Sequence, residues 1–221
     1  VTNKHEHKIL CHFPNIAFNV VAIAASKGGL NAISKILSAL PSDFPAAITI
    51  VQHLYPYCPS YMAEILSSRT ALRVKQAESG ELLRPGTVYV PVPNKHLLVN
   101  PNGTLSLSSA AKANFVRPSA DILFRSLATS YKGRAIAVVL TGKESDGTLG
   151  VLAIKKHGGI AIAQDESTCE CFDMPKAAIN TGKVDFVLPL NAIASALIDL
   201  VMTEKVAQSK SLPAEPERAL A

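Results

Sequence analysis

The sequence predicts an α/β fold: a doubly wound, mainly parallel sheet between helical layers, with an antiparallel hairpin appended. Three observations predict it. Short runs of Val, Ile and Ala recur without alternating polarity, as strands covered on both faces do. Segments with apolar residues at helical spacing separate those runs. A middle stretch, residues 74–107, breaks this rhythm with closely spaced turn residues. The resulting architecture is Rossmann-like, with three layers.

The elements follow in order. Ile16–Ala25 is an apolar strand that ends in Ser26–Lys27–Gly28–Gly29. Leu30, Ile33, Ile36, Leu37 and Leu40 then keep helical spacing until Pro41 stops the helix. Ala46–Val51 is a second buried strand, closed by Gln52–His53, and the three form a βαβ unit with an expected right-handed crossover. An aromatic loop over 54–60 leads to a short helix with Met62, Ile65 and Leu66 inside. Val74–Gln76, Thr87–Val90, His96–Val99 and Thr104–Leu107 are short strands separated by Gly80, Pro85–Gly86, Pro93–Asn94 and Pro101–Asn102–Gly103. The α/β rhythm resumes with a helix over Ser119–Ser130, with Ser119 as its N-cap. Strand Ala135–Leu140, helix Thr148–Lys156, strand Ile160–Ala163, helix Pro175–Thr181, strand Phe186–Leu188 and helix Ile193–Met202 complete it. The domain reading is a flexible segment over 1–15, one catalytic domain over 16–202 and a polar, flexible tail over 203–221.

Composition excludes several classes. The chain has 221 residues, 48% of them hydrophobic, enough for one substantial core. No apolar run reaches the roughly 18–20 residues of a membrane span, and no secretory signal precedes the first strand. The net charge of +5 is scattered. Its longest basic run in the body, Lys155–Lys156–His157, reads as a solvated helix face, so neither nucleic-acid binding nor membrane insertion is expected. Cys169 and Cys171 form a Cys-x-Cys pair without a second pair to complete a zinc site. With Cys11 and Cys58 they read as free thiols of a cytoplasmic protein. No metal and no cofactor are expected.

Three polar residues fall at equivalent points of the rhythm. Ser26 follows the first strand, His53 follows the second, and Asp146 lies shortly beyond strand Ala135–Leu140. Open α/β sheets bind ligands outside the carboxyl ends of their strands. A hydroxyl, an imidazole and a carboxylate delivered there supply a nucleophile, a base and its orienting group. Taken singly, Ser26 also fits a helix cap or phosphate contact, His53 a hydrogen-bonded strand-end histidine, and Asp146–Gly147 a turn. Spacing alone leaves both readings open. A nucleotide-phosphate loop fits poorly, because the turn lacks both the Gly-x-Gly-x-x-Gly spacing and a Walker lysine.

A resemblance narrows the choice. Ala25–Ser26–Lys27–Gly28–Gly29, Val51–Gln52–His53, Pro85–Gly86–Thr87–Val88–Tyr89–Val90 and Arg117–Pro118–Ser119–Ala120–Asp121–Ile122–Leu123–Phe124 come first. Leu140–Thr141–Gly142 with Ser145–Asp146–Gly147, Ala163–Gln164–Asp165–Glu166, and Met174–Pro175–Lys176–Ala177–Ala178 follow. In this order they resemble the chemotaxis-type protein-glutamate methylesterases (CheB-like) over roughly residues 18–200. The resemblance implies hydrolysis of glutamate γ-methyl esters on the cytoplasmic signalling helices of chemoreceptors, with glutamine deamidation in many members. It implies a triad of Ser26, His53 and Asp146 and an oxyanion hole using a backbone N–H near Lys143. It also implies an N-terminal receiver domain in many full-length members. From the short stretch before the first strand, that domain is expected to be absent from this chain, removed, or supplied by another chain, so a receiver domain or kinase in trans is a candidate partner. Lys27 and Lys143 are candidates for oxyanion stabilisation, and Arg117, Gln164 and Met174 for site shape or substrate positioning.

Two stretches depart from the family pattern. Where Ser-Thr-Gly-Gly-Pro is usual, this chain has Ser26–Lys27–Gly28–Gly29–Leu30; where Thr-Gly-Met-Gly-x-Asp-Gly is usual, it has Thr141–Gly142–Lys143–Glu144–Ser145–Asp146–Gly147. Glu144 replaces a glycine, so strain is expected there if φ is positive. Its charge would be harmless if it paired with Lys143 or Lys27. These changes support an alternative reading, a catalytically weak or inactive homologue that acts as a receptor-binding regulatory module.

Overall fold

The computed structural model describes residues 18–53, 60–113 and 115–209. The expected segment 1–15, Cys11, Cys58 and most of the aromatic loop lie outside them. The main sheet is built from β1 (Asn19–Ala25), β2 (Ala46–Gln52), β3 (Arg73–Gln76), β4 (Thr87–Val90), β7 (Ala135–Val139), β8 (Ile160–Gln164) and β9 (Phe186–Leu188). Its order is β3-β4-β2-β1-β7-β8-β9, and every neighbouring pair is parallel. The chain therefore builds outward from β1 on one side, then crosses to its other side at β7. The crevice between β1 and β7 is the topological switch point.

Parallel strands need crossovers, and these cover both faces. Along β1, Val21, Ile23 and Ala25 pack with α1 (Gly29–Ser38) and α6 (Leu190–Ser209). The alternate residues Val20, Ala22 and Ala24 pack with α3 (Ala120–Tyr131), α4 (Thr148–Lys156) and α5 (Asp173–Ile179). Seven consecutive buried residues in β1 are the consequence. The short helix α2 (Met62–Ser67) places Met62 and Leu66 in the first of these layers.

The antiparallel hairpin consists of β5 (His96–Val99) and β6 (Leu105–Ser108). It forms a separate two-stranded sheet rather than an extension of the main one. β3 and β4, which share its turn-rich stretch, instead join the main sheet in parallel. The hairpin leans on α3, where Ser126 Oγ accepts the Val99 N–H at 3.1 Å and Ser130 Oγ donates to the Val99 carbonyl at 2.9 Å. α6 continues to Ser209, past the expected end at Met202. Among the described residues no helix is long and apolar enough to cross a membrane.

Two hydroxyls on α3 thus satisfy both backbone groups of one hairpin residue. A Ser126→Ala/Ser130→Ala variant should lose about 1–3 kcal/mol in urea unfolding. Hydrogen exchange should quicken at the amides of β5 and β6 while β1 stays protected. Equal quickening in both sheets would contradict this.

Candidate active site

Sheet register brings Ser26 and His53 together. β1 and β2 run in register to the pair Ala25 and Gln52, and the His53 N–H donates to the Ala25 carbonyl at 3.3 Å. Neighbouring strands lie about 4.8 Å apart, so the next residue on each, Ser26 and His53, stand side by side. On the other flank, the Ser26 N–H donates to the Thr141 carbonyl just past β7 at 3.0 Å. Ser26 is thereby fixed at the switch point, between the ends of β2 and β7. Beside it lies a cleft of about 280 Å³ lined by Ser26, Gly28, Gly29, Leu30, Asn31 and Gln52.

Asp146 arrives from the connection between β7 and α4, 93 residues along the chain from His53. Its Oδ2 lies 2.9 Å from His53 Nε2. That pairing places the proton on Nε2 and leaves Nδ1 as the basic nitrogen for a neighbouring hydroxyl. The Ser26 hydroxyl makes no hydrogen bond to another described residue, a looseness common at unliganded sites.

Asp146 is 2% exposed and bears four hydrogen bonds. Besides His53, the Ser119 hydroxyl donates to Oδ1 at 2.8 Å, the Ala120 N–H to Oδ2 at 2.6 Å and the Asp121 N–H to Oδ1 at 3.1 Å. Burial pushes its pKa up, but His53, the Ala120 N–H, Ser119 and the Asp121 N–H together outweigh burial and hold it below the usual carboxylate value. Two of those donors are orphan amides of the first turn of α3. Asp146 therefore caps α3 from outside it. Ser119 occupies the N-cap position, but its side chain makes no cap bond, because it is turned onto Asp146.

The arrangement is reciprocal. Asp121, in the first turn of α3, accepts the Gly150 N–H at the start of α4 at 2.7 Å. Burial and the nearby Asp146 charge raise the Asp121 pKa against the pull of the α4 amides. Asp146, from the connection before α4, caps α3, and Asp121, from the first turn of α3, caps α4. The sequence marks Ser119 only as a local cap and Asp121 only as part of the motif that follows it. Their link to Asp146 spans 27 and 25 residues and leaves no local signal.

Two backbone donors in the loops around Ser26 are uncommitted. Among the described residues, neither the Lys27 N–H nor the Lys143 N–H has a partner. Gly142 brings the second loop close: a Cβ there would lie 2.3 Å from Met174 Sδ and 2.8 Å from Ser26 Cβ. Glu144 adopts φ 73°, the left-handed conformation that its departure from glycine leads one to expect. Its side chain is exposed and pairs with neither Lys143 nor Lys27 among the described residues. Lys27 instead lies 3.9 Å from Glu170, both about half exposed, so the pair contributes little.

The remaining candidates hold the site's frame. Gln164 is fully buried: its Oε1 accepts the Thr141 N–H at 2.9 Å and its Nε2 donates to the Thr168 carbonyl at 2.7 Å. With both ends committed, it braces the Thr141 loop. Met174, 1% exposed, packs under Gly142. Arg117 spends its guanidinium on Asn94 Oδ1 and on the Ser109 and Ala110 carbonyls. All three thus help to shape the loops around the site. Cys169 and Cys171 are free thiols, and burial with the nearby Asp165 charge pushes Cys169 up to about 12. No group of three potential metal ligands occurs among the described residues.

Residues 21–197 match the family model described as CheB methylesterase. The chain belongs to the CheB methylesterase family. It is 47% identical over 175 residues to a Rhizobium meliloti protein-glutamate methylesterase/protein-glutamine glutaminase, covering 79% of this chain and 49% of the relative. It is 41% identical over 191 residues to the Thermotoga maritima protein of the same name, covering 85% of this chain and 56% of the relative. The chain thus spans about half the length of these two curated relatives. The crystal structure of the Thermotoga maritima CheB methylesterase catalytic domain superimposes with a TM-score of 0.81 at 41% identity, over 83% of this chain and 99% of that one.

Asp146→Ala would strand three buried donors besides His53, so it should cost about 2–4 kcal/mol, whereas Ser26→Ala should stay within about 0.5 kcal/mol of wild type. Urea melts of the two variants distinguish these outcomes. Because the folded-state pKa of Asp146 is depressed, its contribution is complete above the unfolded carboxylate range near about 4 and is lost as pH falls through the folded value. Glu144→Gly should raise stability by about 1 kcal/mol through release of left-handed strain, read as a higher melting midpoint. An unchanged or lower midpoint would show that Glu144 carries no strain.

Proposed function

We propose that this chain is a serine esterase that cleaves glutamate γ-methyl esters on the cytoplasmic signalling helices of chemoreceptors, and that it deamidates glutamine side chains there. The observation that carries the reading is the 2.9 Å pair of His53 Nε2 and buried Asp146, set beside Ser26 at the switch point. The relatives' names support the substrate class.

In this reading, His53 Nδ1 takes the Ser26 proton as Oγ attacks the ester carbonyl. Asp146 holds the imidazole in the required tautomer and balances the imidazolium. The Lys27 and Lys143 N–H groups receive the oxyanion, each such donor being worth about 100–1000-fold in rate. His53 then protonates the departing methoxide, methanol leaves, and a water activated by the same nitrogen releases Glu from the acyl-enzyme. A glutamine side chain follows the same course with ammonia as the leaving group. The site works in the cytoplasm, under the control of a receiver domain or kinase.

Methanol release from a methylated receptor helix tests this directly. Ser26→Ala should lower the rate at least about 1000-fold while leaving the protein folded. Undiminished turnover in that variant would refute the mechanism. A second reading, a receptor-binding module without turnover, draws on the Glu144 strain and on the unengaged Ser26 hydroxyl. It expects receptor binding with no methanol release and no labelling of Ser26 by a serine-reactive phosphonate.

A further inference from the structure

The two uncommitted N–H groups are aimed by different means. In a planar trans peptide the carbonyl and the following N–H point in opposite directions, so whatever holds the carbonyl aims the N–H. For the Gly142–Lys143 peptide, the Gly142 carbonyl is held by the Met174 N–H at 3.0 Å, a backbone contact. For the Ser26–Lys27 peptide, the Ser26 carbonyl accepts the Gly29 N–H at 2.9 Å and a side chain, Gln52 Nε2, at 2.7 Å. Gln52 stands at the end of β2, immediately before His53.

The amide of Gln52 is poorly explained as a stability element. The residue is 8% exposed, and its Oε1 is buried with no hydrogen-bond partner among the described residues. That oxygen lies against the Cα of Gly29, 2.2 Å from where a Cβ would stand. A buried acceptor left without a donor opposes folding, and an apolar side chain of similar length would avoid it. What the amide alone supplies is the short bond to the carbonyl of the candidate nucleophile.

We propose that Gln52 is a positioning residue that holds the Ser26–Lys27 peptide and thereby aims the Lys27 N–H at the developing oxyanion. The inference deepens the serine-esterase reading and rests on it. Gln52 touches no reacting atom. Its effect belongs to the tetrahedral state, when negative charge sits on the oxygen that the Lys27 N–H faces. The same bond sets the direction in which the Ser26 side chain leaves the turn, since both belong to one residue's backbone.

Gln52→Met keeps the length and removes the donor. With a neutral methyl ester substrate, kcat should fall about 10–100-fold while KM moves less than twofold. Affinity for a phenylboronic acid, which forms a tetrahedral adduct on Ser26, should fall by the same factor as kcat. The melting midpoint should not fall, because the orphan oxygen goes too. Wild-type kcat and boronate affinity in this variant would overturn the inference, as would kcat, KM and melting midpoint declining together. If Gln52→Met does not fold, Gln52→Asn, too short to reach the carbonyl, carries the same two outcomes. Ser26-dependent turnover with unaffected Gln52 variants overturns this inference alone. A wild-type chain without Ser26-dependent turnover overturns the proposed function and this inference together.

Discussion

The buried carboxylate of Asp146 is the constraint on which the rest of the site depends. An isolated carboxylate at this depth would cost several kcal/mol, and the fold answers with four donors, one from His53 and three from the start of α3. Two are the first-turn amides of α3, where the helix dipole also favours negative charge. One residue therefore fixes where α3 begins, how the connection before α4 runs, and which nitrogen of His53 carries the proton. Asp121 completes the exchange by capping α4. The packing of α3 against α4 and the orientation of the imidazole are consequently one structural problem with one solution.

The switch point sets the second constraint. Ser26 lies where β1 separates the half of the sheet reached through β2 from the half reached through β7, so its neighbours come from distant parts of the chain. The Thr141 hydroxyl marks the seam: it lies 3.0 Å from the Lys27 carbonyl and accepts the Cys171 N–H at 2.9 Å. Gln164 holds the Thr141 amide from below, and Gly142 leaves room for Ser26 and Met174 to meet. Carbonyls around Ser26 are tied down, while the N–H groups of Lys27 and Lys143 have no partner among the described residues. The departures at Lys27 and Glu144 fall on the exposed outer side of this frame, which explains how the loop geometry survives them.

Much of the fold was legible because parallel strands and their crossovers are local patterns. The apolar runs ending at Ala25, Gln52 and Leu140, and the helical spacing between them, located the central strands and the edge where they end. The turn-rich stretch 74–107 was harder. Its four strands look alike in sequence, yet β3 and β4 enter the main sheet and β5 and β6 stand apart. Four-residue strands carry too little periodicity to say which neighbour they will pair with. Arg117, Gln164 and Met174 were only partly legible for a related reason: a motif marks a residue near a site, but only the fold shows which partners its polar groups take.

The sequence by itself determined the layer architecture, the placement of Ser26, His53 and Asp146 at strand ends, and the glycine replaced at Glu144. Each of these follows from hydrophobic periodicity or from the local demands of a turn. Only the tertiary structure decided which nitrogen of His53 faces Asp146, that Asp146 and Asp121 cap each other's helices, and that Gln52 grips the carbonyl of Ser26. Those are contacts between residues 25–93 positions apart, set by strand order and helix packing. No periodicity along the chain encodes them. The serine is visible in the sequence; the apparatus that aims it exists only once β1, β2 and β7 lie side by side.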